Sequence, residues 1–482
     1  MKSTTGEAIK PKPARRGGRS EGILFGALIA AVALAPLPLG SSRPLPAALL
    51  ALALGVLLVA WAACAGTGAA RMAVSPAKIR APLILFGLVA LWILVQALPV
   101  LPAGWGDPIW GVAAEALGTP LRHTISVNPE RTLSGLMRLL SYAAVFWLAL
   151  QLAREPARAR LALAAVALIG AAYAVYGIAV YTAGNEWILL YDKWAYKSAL
   201  TSTFVNRNSF ATFAGLCLVC AAASFVGSFS HLLAIDRPLR HRIVMVAETI
   251  FSSSLHFTAA TLTLLLALVF TGSRAGVASS MAGLLVLMPA LARRRRFGLR
   301  HATAIAAMVG IVIWLAFALG GGLLAERLSD ADATAANWEA RRTVYETTME
   351  AIGTVPWTGT GYGTFREVFA AYRPESLDLR RYWDKAHNTY LETMLELGIP
   401  AALLLNLSIL LLAAEALRGL WRRRRDRTAP AIGVAATVLV GLHAVVDFSL
   451  QIPAVALLYA FIMGVAVSQS WSQERRSEAG GG

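Results

Sequence analysis

Lys385-Ala386-His387-Asn388-Thr389-Tyr390-Leu391-Glu392 ends a hydrophilic insertion, residues 323–396, and runs straight into an apolar helix. The change of character on either side of this insertion decides the fold. Before residue 323 and after residue 396 the chain is a series of long, unbroken apolar runs. Its 482 residues are 57% hydrophobic and 15% charged, the composition of a polytopic membrane protein. Crossing a hydrocarbon core of about 30 Å takes roughly 20 helical residues. Twelve runs read as spans, near 22–40, 46–66, 81–101, 134–153, 158–182, 207–229, 255–271, 275–292, 302–322, 397–417, 429–447 and 450–469. Unbroken rather than alternating hydrophobicity predicts helices and not a barrel. The expected fold is an all-α polytopic membrane protein with about twelve transmembrane helices. It divides into a basic tail over 1–21, helices one to nine over 22–322, one large, partly helical loop over 323–396, helices ten to twelve over 397–469, and a tail over 470–482.

A formal net charge of +17 raises the question of nucleic acid, and the distribution of that charge excludes it. With a cytoplasmic N-terminus and twelve spans, 28 of the 44 Lys and Arg residues fall on the inner side and 15 on the outer side. Eight of the outer ones lie in 323–396, and long loops obey the positive-inside rule weakly. The blocks Arg293–Arg296 and Arg422–Arg425 both fall inside. Both termini are therefore expected in the cytoplasm and the 323–396 loop outside. Ala33-Leu34-Ala35 resembles a signal-peptide cleavage site, but Pro36 follows it, so the first helix is expected to stay attached. Cys64, Cys217 and Cys220 all lie within spans. The spacing Cys217-Leu218-Val219-Cys220 sits in an apolar run with no His or acidic residue nearby, so packed thiols are expected rather than a zinc site.

The long loop has internal order. Residues 335–352 have helical spacing and stop at Gly353, 356–363 (Pro-Trp-Thr-Gly-Thr-Gly-Tyr-Gly) are dense in turn formers, and a short helix is expected over 364–372. Thr389 and Glu392 read as a capping box opening the tenth span. Two shorter outer segments carry Trp105, Trp110, Trp187, Tyr191, Trp194 and Tyr196. These rings read as an interfacial belt or as platforms for a sugar face.

Several side chains suit chemistry, each with a plainer alternative. Arg274, in Thr271-Gly272-Ser273-Arg274-Ala275-Gly276, suits a diphosphate through its planar fork of donors, or snorkels toward the interface. Arg341 and Arg342 point about 100° apart on a helix, so one faces a cleft while the other faces solvent. Tyr345 shares the Arg341 face, and pairing with Glu339 or Glu346 is the plainer reading of these arginines. His387, just ahead of a helix N-terminus with Asn388, suits a general base acting on a hydroxyl, or a hydrogen bond to the loop. Asp330-Ala331-Asp332 has the spacing of a divalent-metal motif, but it follows the membrane exit directly, and no metal is expected. His443 and Asp447 stand i, i+4 in the eleventh span, as a functional pair or as a tie between helices.

Taken together, Thr271-Gly-Ser-Arg-Ala-Gly276, Arg341 with 356–363, His387-Asn388 followed by nine residues and Gly398, and His443-Ala-Val-Val-Asp-Phe-Ser-Leu-Gln451 resemble the O-antigen ligase and polymerase family of bacterial surface-polysaccharide enzymes. The resemblance covers roughly residues 200–450. Ala401 stands where the family's ligase motif has its second glycine. The resemblance implies an enzyme of the bacterial inner membrane, its long loop periplasmic, that moves an undecaprenyl-diphosphate-linked glycan to an acceptor hydroxyl without nucleotide-sugar, metal or other cofactor. It implies that Arg274 and Arg341 bind the diphosphate, that His387 activates the acceptor, and that Arg207, Tyr345, Asn388, His443 and Asp447 support them. The implied acceptor is lipid A-core, another glycan, or a protein hydroxyl as in protein O-oligosaccharyltransferases. The remaining implied partners are membrane lipid and a chain-length regulator. A lipid-linked oligosaccharide flippase or other transporter is the competing class, and it predicts a charged central cavity and paired broken helices.

Overall fold

Proline at the first turn, where its missing N–H costs nothing, opens many of the long apolar helices. A computed structural model describes residues 17–37, 39–229, 255–292, 331–377, 383–423 and 426–471 of the chain. In chain order the helices are α1 (Gly17–Leu34), α2 (Pro44–Gly66), α3 (Arg80–Ala97), α4 (Ile109–Leu117), α5 (Pro129–Leu152), α6 (Pro156–Thr182), α7 (Arg207–Phe229), α8 (Leu255–Phe270) and α9 (Arg274–Ala292). There follow α10 (Ala331–Thr354), α11 (Phe365–Tyr372), α12 (Thr389–Leu397), α13 (Ile399–Arg422), α14 (Thr428–His443) and α15 (Pro453–Ser468). A hairpin of two short antiparallel strands, β1 (Trp187–Ile188) and β2 (Tyr191–Asp192), precedes α7. The protein is all-helical apart from that hairpin among the described residues.

Seven helices among the described residues are long and apolar enough to cross a membrane: Pro44–Gly66, Pro76–Ala97, Pro129–Leu152, Pro156–Thr182, Arg207–Gly227, Arg274–Leu291 and Ile399–Arg422. Leu255–Phe270, Thr428–His443 and Pro453–Ser468 are shorter apolar helices. The expected ninth span at 302–322, the basic block Arg293–Arg296, Asp330 and most of both tails lie outside the described residues.

The core is centred on α15. It is apolar all round and almost wholly buried, as a helix enclosed by others must be. It packs on α5 and α14, while α7 packs on α6, α8 and α9 beside it. Cys217 and Cys220 are fully buried in this core, and Cys217 lies against Gly170 of α6. By contrast α2 and α3 turn exposed leucines and isoleucines outward, as lipid-facing helices do.

The 323–396 loop builds a second core of its own. Val344, Ala351 and Ile352 of α10 meet Phe365, Val368 and Phe369 of α11, with Ala386 and Leu395 closing the cluster. The turn-rich segment at 356–363 lies along the end of α12. Thr360 N–H donates to Leu395 O at 3.1 Å and Gly361 N–H to Glu396 O at 3.0 Å. A Cβ on Gly359 would stand 2.4 Å from Glu396 O, and one on Gly398 would stand 2.4 Å from Trp357 O. Both glycines also have positive φ, so this contact admits no side chain at either position. Gly398 ends α12 and the long α13 starts immediately after it. The tenth apolar run is thus entered through a separate nine-residue helix rather than directly.

Candidate active site

The site is built on the first turn of α12. Asn388 is its N-cap, with Oδ1 accepting the backbone N–H groups of Tyr390 (3.0 Å) and Leu391 (3.1 Å). The capping box expected from Thr389 and Glu392 is therefore displaced. Thr389 is already helical and donates its hydroxyl to Asp447 O at 2.9 Å. Glu392, fully buried, reaches back to the Ala386 N–H at 2.8 Å and to Lys385 Nζ at 3.1 Å. Glu396, one turn further, accepts the Phe365 N–H at 3.1 Å. Burial, and then the neighbouring Glu392 carboxylate, push the Glu396 carboxyl up to about 8. Burial alone would lower the Lys385 ammonium, but Glu392 and Glu396 outweigh it and raise it.

These contacts hold His387 in a conformation it would not choose. Its φ is +54°, the left-handed region that costs a β-carbon residue of order 1 kcal/mol or more. The Ala386 N–H is held by Glu392, the His387 carbonyl accepts the Tyr345 hydroxyl at 2.9 Å, and the Thr389 N–H donates to Ala444 O at 2.9 Å. The imidazole stands edge-on to Trp383 (5.5 Å between centroids) and Phe448 (4.9 Å). Its Nδ1 is 3.9 Å from Asp447 Oδ2, an ion-pair approach too long for a hydrogen bond. That buried Nδ1 has no hydrogen-bond partner among the described residues.

Asp447 is the hub of the opposite wall. It lies beyond the end of α14, which stops at His443, and not inside that helix as the i, i+4 reading requires. Its side chain is buried, accepting Asn208 Nδ2 at 2.6 Å and Ser449 Oγ at 2.6 Å. His443 turns away and shares a 2.5 Å hydrogen bond between Nδ1 and Thr212 Oγ1. The two residues are thus joined through α7 and not to each other. Arg341 Nη1 donates to Val446 O at 2.9 Å, tying α10 to the same turn. Arg342 points the other way and pairs with Glu346 at 2.8 Å on an exposed face.

Arg207 opens α7 and Arg274 opens α9, and the first turns of these helices meet where Gly276 abuts Ala211. The Leu200 N–H donates to Phe270 O at 3.1 Å, which brings the 196–206 segment to the same end of the bundle. Arg207 lies 5.8 Å from the Tyr196 ring centroid, and the Tyr196 hydroxyl accepts Asn206 Nδ2 at 3.0 Å. Burial raises the Tyr196 hydroxyl pKa, Asp447 raises it further, and Arg341 and Arg207 pull it down, so all four side chains share one field. Arg274 is exposed on the adjoining turn.

Of the residues singled out from sequence, His387, Asn388, Arg341, Tyr345 and Asp447 converge in one niche, and Arg207 reaches its edge. His443 sits behind it. Sequence reading passed over Asn208, Ser449, Glu396 and Lys385 as site residues, took Glu392 only as half of a capping box, and read Tyr196 as part of an interfacial belt or a sugar platform. The polar triplet Asn206-Arg207-Asn208 at the mouth of an apolar run was the available signal for one of them. An imidazole beside a carboxylate, with guanidinium groups around the rim, is equipped to accept a proton from a hydroxyl and to offset charge on an anionic leaving group. Among the described residues no three His, Cys, Asp or Glu side chains converge as a metal site.

No curated protein matches the chain. A family model described as O-antigen ligase matches residues 259–406, a stretch that contains Arg274, Arg341, Tyr345, His387, Asn388 and Gly398. Arg207, His443 and Asp447 fall outside the matched residues and reach the niche by folding. Over those residues the chain is similar to the O-antigen ligase family.

Proposed function

We propose that the chain is a metal-independent glycosyltransferase of the bacterial inner membrane, moving or polymerising undecaprenyl-diphosphate-linked glycan onto an acceptor hydroxyl in surface-polysaccharide synthesis. The observation that carries this reading is the convergence of His387 with Asp447 and Arg341 from three separate segments. Two of the three lie within the O-antigen ligase match.

In the proposed reaction His387 takes the proton of the acceptor hydroxyl as that oxygen bonds to the anomeric carbon. The bond from that carbon to the diphosphate oxygen breaks on the opposite face, so the configuration inverts. Undecaprenyl diphosphate leaves as an anion, and Arg274, Arg341 and Arg207 offset its charge. With Nδ1 protonated toward the Asp447 carboxylate 3.9 Å away, Nε2 is left to act as the base. The insertion at 323–396 would then face the periplasm, where lipid-linked glycans are consumed.

The test is to replace His387→Ala and Arg274→Ala separately in the source organism, confirm membrane expression, and profile lipid-linked and surface glycans. Normal expression with loss of the mature glycan supports the enzyme reading. Single repeats on the carrier or on lipid A-core would then assign a polymerase. Full-length chains stranded on undecaprenyl diphosphate would assign a ligase. Unchanged profiles in both variants would overturn the catalytic assignment and favour transport or scaffolding.

A further inference from the structure

At the end of the bundle opposite His387, α3 begins and α13 ends around a half-open cleft of about 260 Å³. That is a little below the usual range of small-molecule sites, about 300–1,000 Å³. Its walls are the turn at 76–79, the first turn of α3 and the last turns of α13, with Lys78, Arg80 and Arg418 among the lining residues and Glu415 as the one carboxylate. Glu415 is shared between Arg418 (3.2 Å) and Arg422 (3.5 Å). Lys78 rests 5.2 Å over the Trp471 ring, and Arg80 forms no ion pair among the described residues. The local balance is cationic.

The apolar part of the pattern completes it. Arg80, Ile84, Leu88 and Leu91 follow one another along one stripe of α3, and Leu403, Leu407 and Leu411 along one stripe of α13, running from the cleft toward the middle of the bundle. Ile84, Leu88, Leu91, Leu403 and Leu407 are exposed, and Leu411 lines the cleft. The helices are fastened together beside the cleft by Ser408 Oγ donating to Pro82 O at 2.9 Å. A cationic cleft flanked by the exposed apolar faces of two helices matches one kind of molecule: an acyl lipid with a phosphate headgroup.

We propose that this cleft is a binding site for an anionic phospholipid of the leaflet opposite the His387 site. The headgroup phosphate lies between Lys78, Arg80 and Arg418, and an acyl chain runs over the exposed apolar faces of α3 and α13. The site is separate from the reaction proposed above and stands or falls without it.

The test uses the purified full-length protein in detergent, titrated with dioleoyl phosphatidylglycerol, dioleoyl phosphatidylcholine and inorganic phosphate, with retained lipid read by native mass spectrometry and stability by thermal unfolding. Phosphatidylglycerol is expected to be retained and stabilising, with phosphatidylcholine about tenfold weaker and inorganic phosphate without effect. The double variant Lys78→Gln/Arg80→Gln is expected to lose that preference. So is Leu411→Trp, which fills the cleft and leaves every charge in place. Equal retention of the two lipids, competition by inorganic phosphate, or an undiminished preference in either folded variant overturns the proposal.

Discussion

Two polar clusters share the nine-residue helix α12, one at its mouth and one along its buried face, and they are finished to different degrees. Along the buried face, Glu392 and Glu396 each have a backbone N–H, and Glu392 has Lys385 as well. At the mouth, His387 is strained, its Nδ1 stops 3.9 Å short of Asp447, and His443 Nε2 behind it has no partner among the described residues. A buried polar network with every group satisfied rigidifies the chain around it, whereas an unsatisfied group calls for a reason of its own. The contrast separates scaffold from the proposed reaction centre. The closed cluster fixes the backbone so that the open one can present an imidazole without its own support.

The largest expected effect lies at the open cluster. His387→Ala should lower glycan transfer by about 10²–10⁴, while its stability cost should be limited to the ring's edge-on contacts with Trp383 and Phe448, about 1 kcal/mol each. Parallel transfer and thermal-unfolding assays would show the split, and a stability loss matching the activity loss would erase the distinction. Arg341→Ala should cost about 10²–10³ in transfer. Arg342→Ala, one residue away on the exposed face, should leave transfer intact and cost under about 1 kcal/mol, since it breaks only a surface pair. Similar effects from these neighbours would mean that α10 offers no face to the site.

The closed cluster should answer in stability. Glu392→Ala strips Lys385 and the Ala386 N–H of their acceptor and should destabilise by about 3 kcal/mol. Glu392→Gln retains an acceptor oxygen and should recover part of it. The same cluster should also show a pH dependence. Glu396 keeps a proton in the folded protein up to about 8 that the unfolded chain releases near its ordinary 4.5. Stability from this group is therefore full at low pH, falls as pH rises between those values, and levels off above them. Glu396→Gln should flatten that stretch of a thermal-unfolding series, and an unchanged slope would show that Glu396 is ionised throughout.

The helices were the legible part of the sequence, because apolar length and proline or glycine punctuation are local properties. The expected loop helix at 335–352 extends over Ala331–Thr354, and the one at 364–372 is Phe365–Tyr372. The errors occur where a distant residue decides. Thr389 looked like a cap until Asp447 O took its hydroxyl, and Asp447 looked helical until Asn208, Ser449 and Thr389 drew it into a turn. Asn208 and Asp447 are 239 positions apart, and nothing local in either segment announces the other. Glu396, and the burial of Glu392, were unreadable for the opposite reason. Acidic residues at i, i+4 near a helix start usually face water, and only the packed loop shows that these do not.

The interval from His387 to Gly398 acts as a clock as well as a motif. At one end the imidazole is aimed by the cap at Asn388, and at the other Gly398 is clamped against the 356–363 segment. Between them each residue advances the helix by about 100° and 1.5 Å. One residue more or fewer would preserve every side chain discussed above and still swing the histidine out of phase with Asp447. Composition inside α12 can drift where packing allows, but its length is set by rotation.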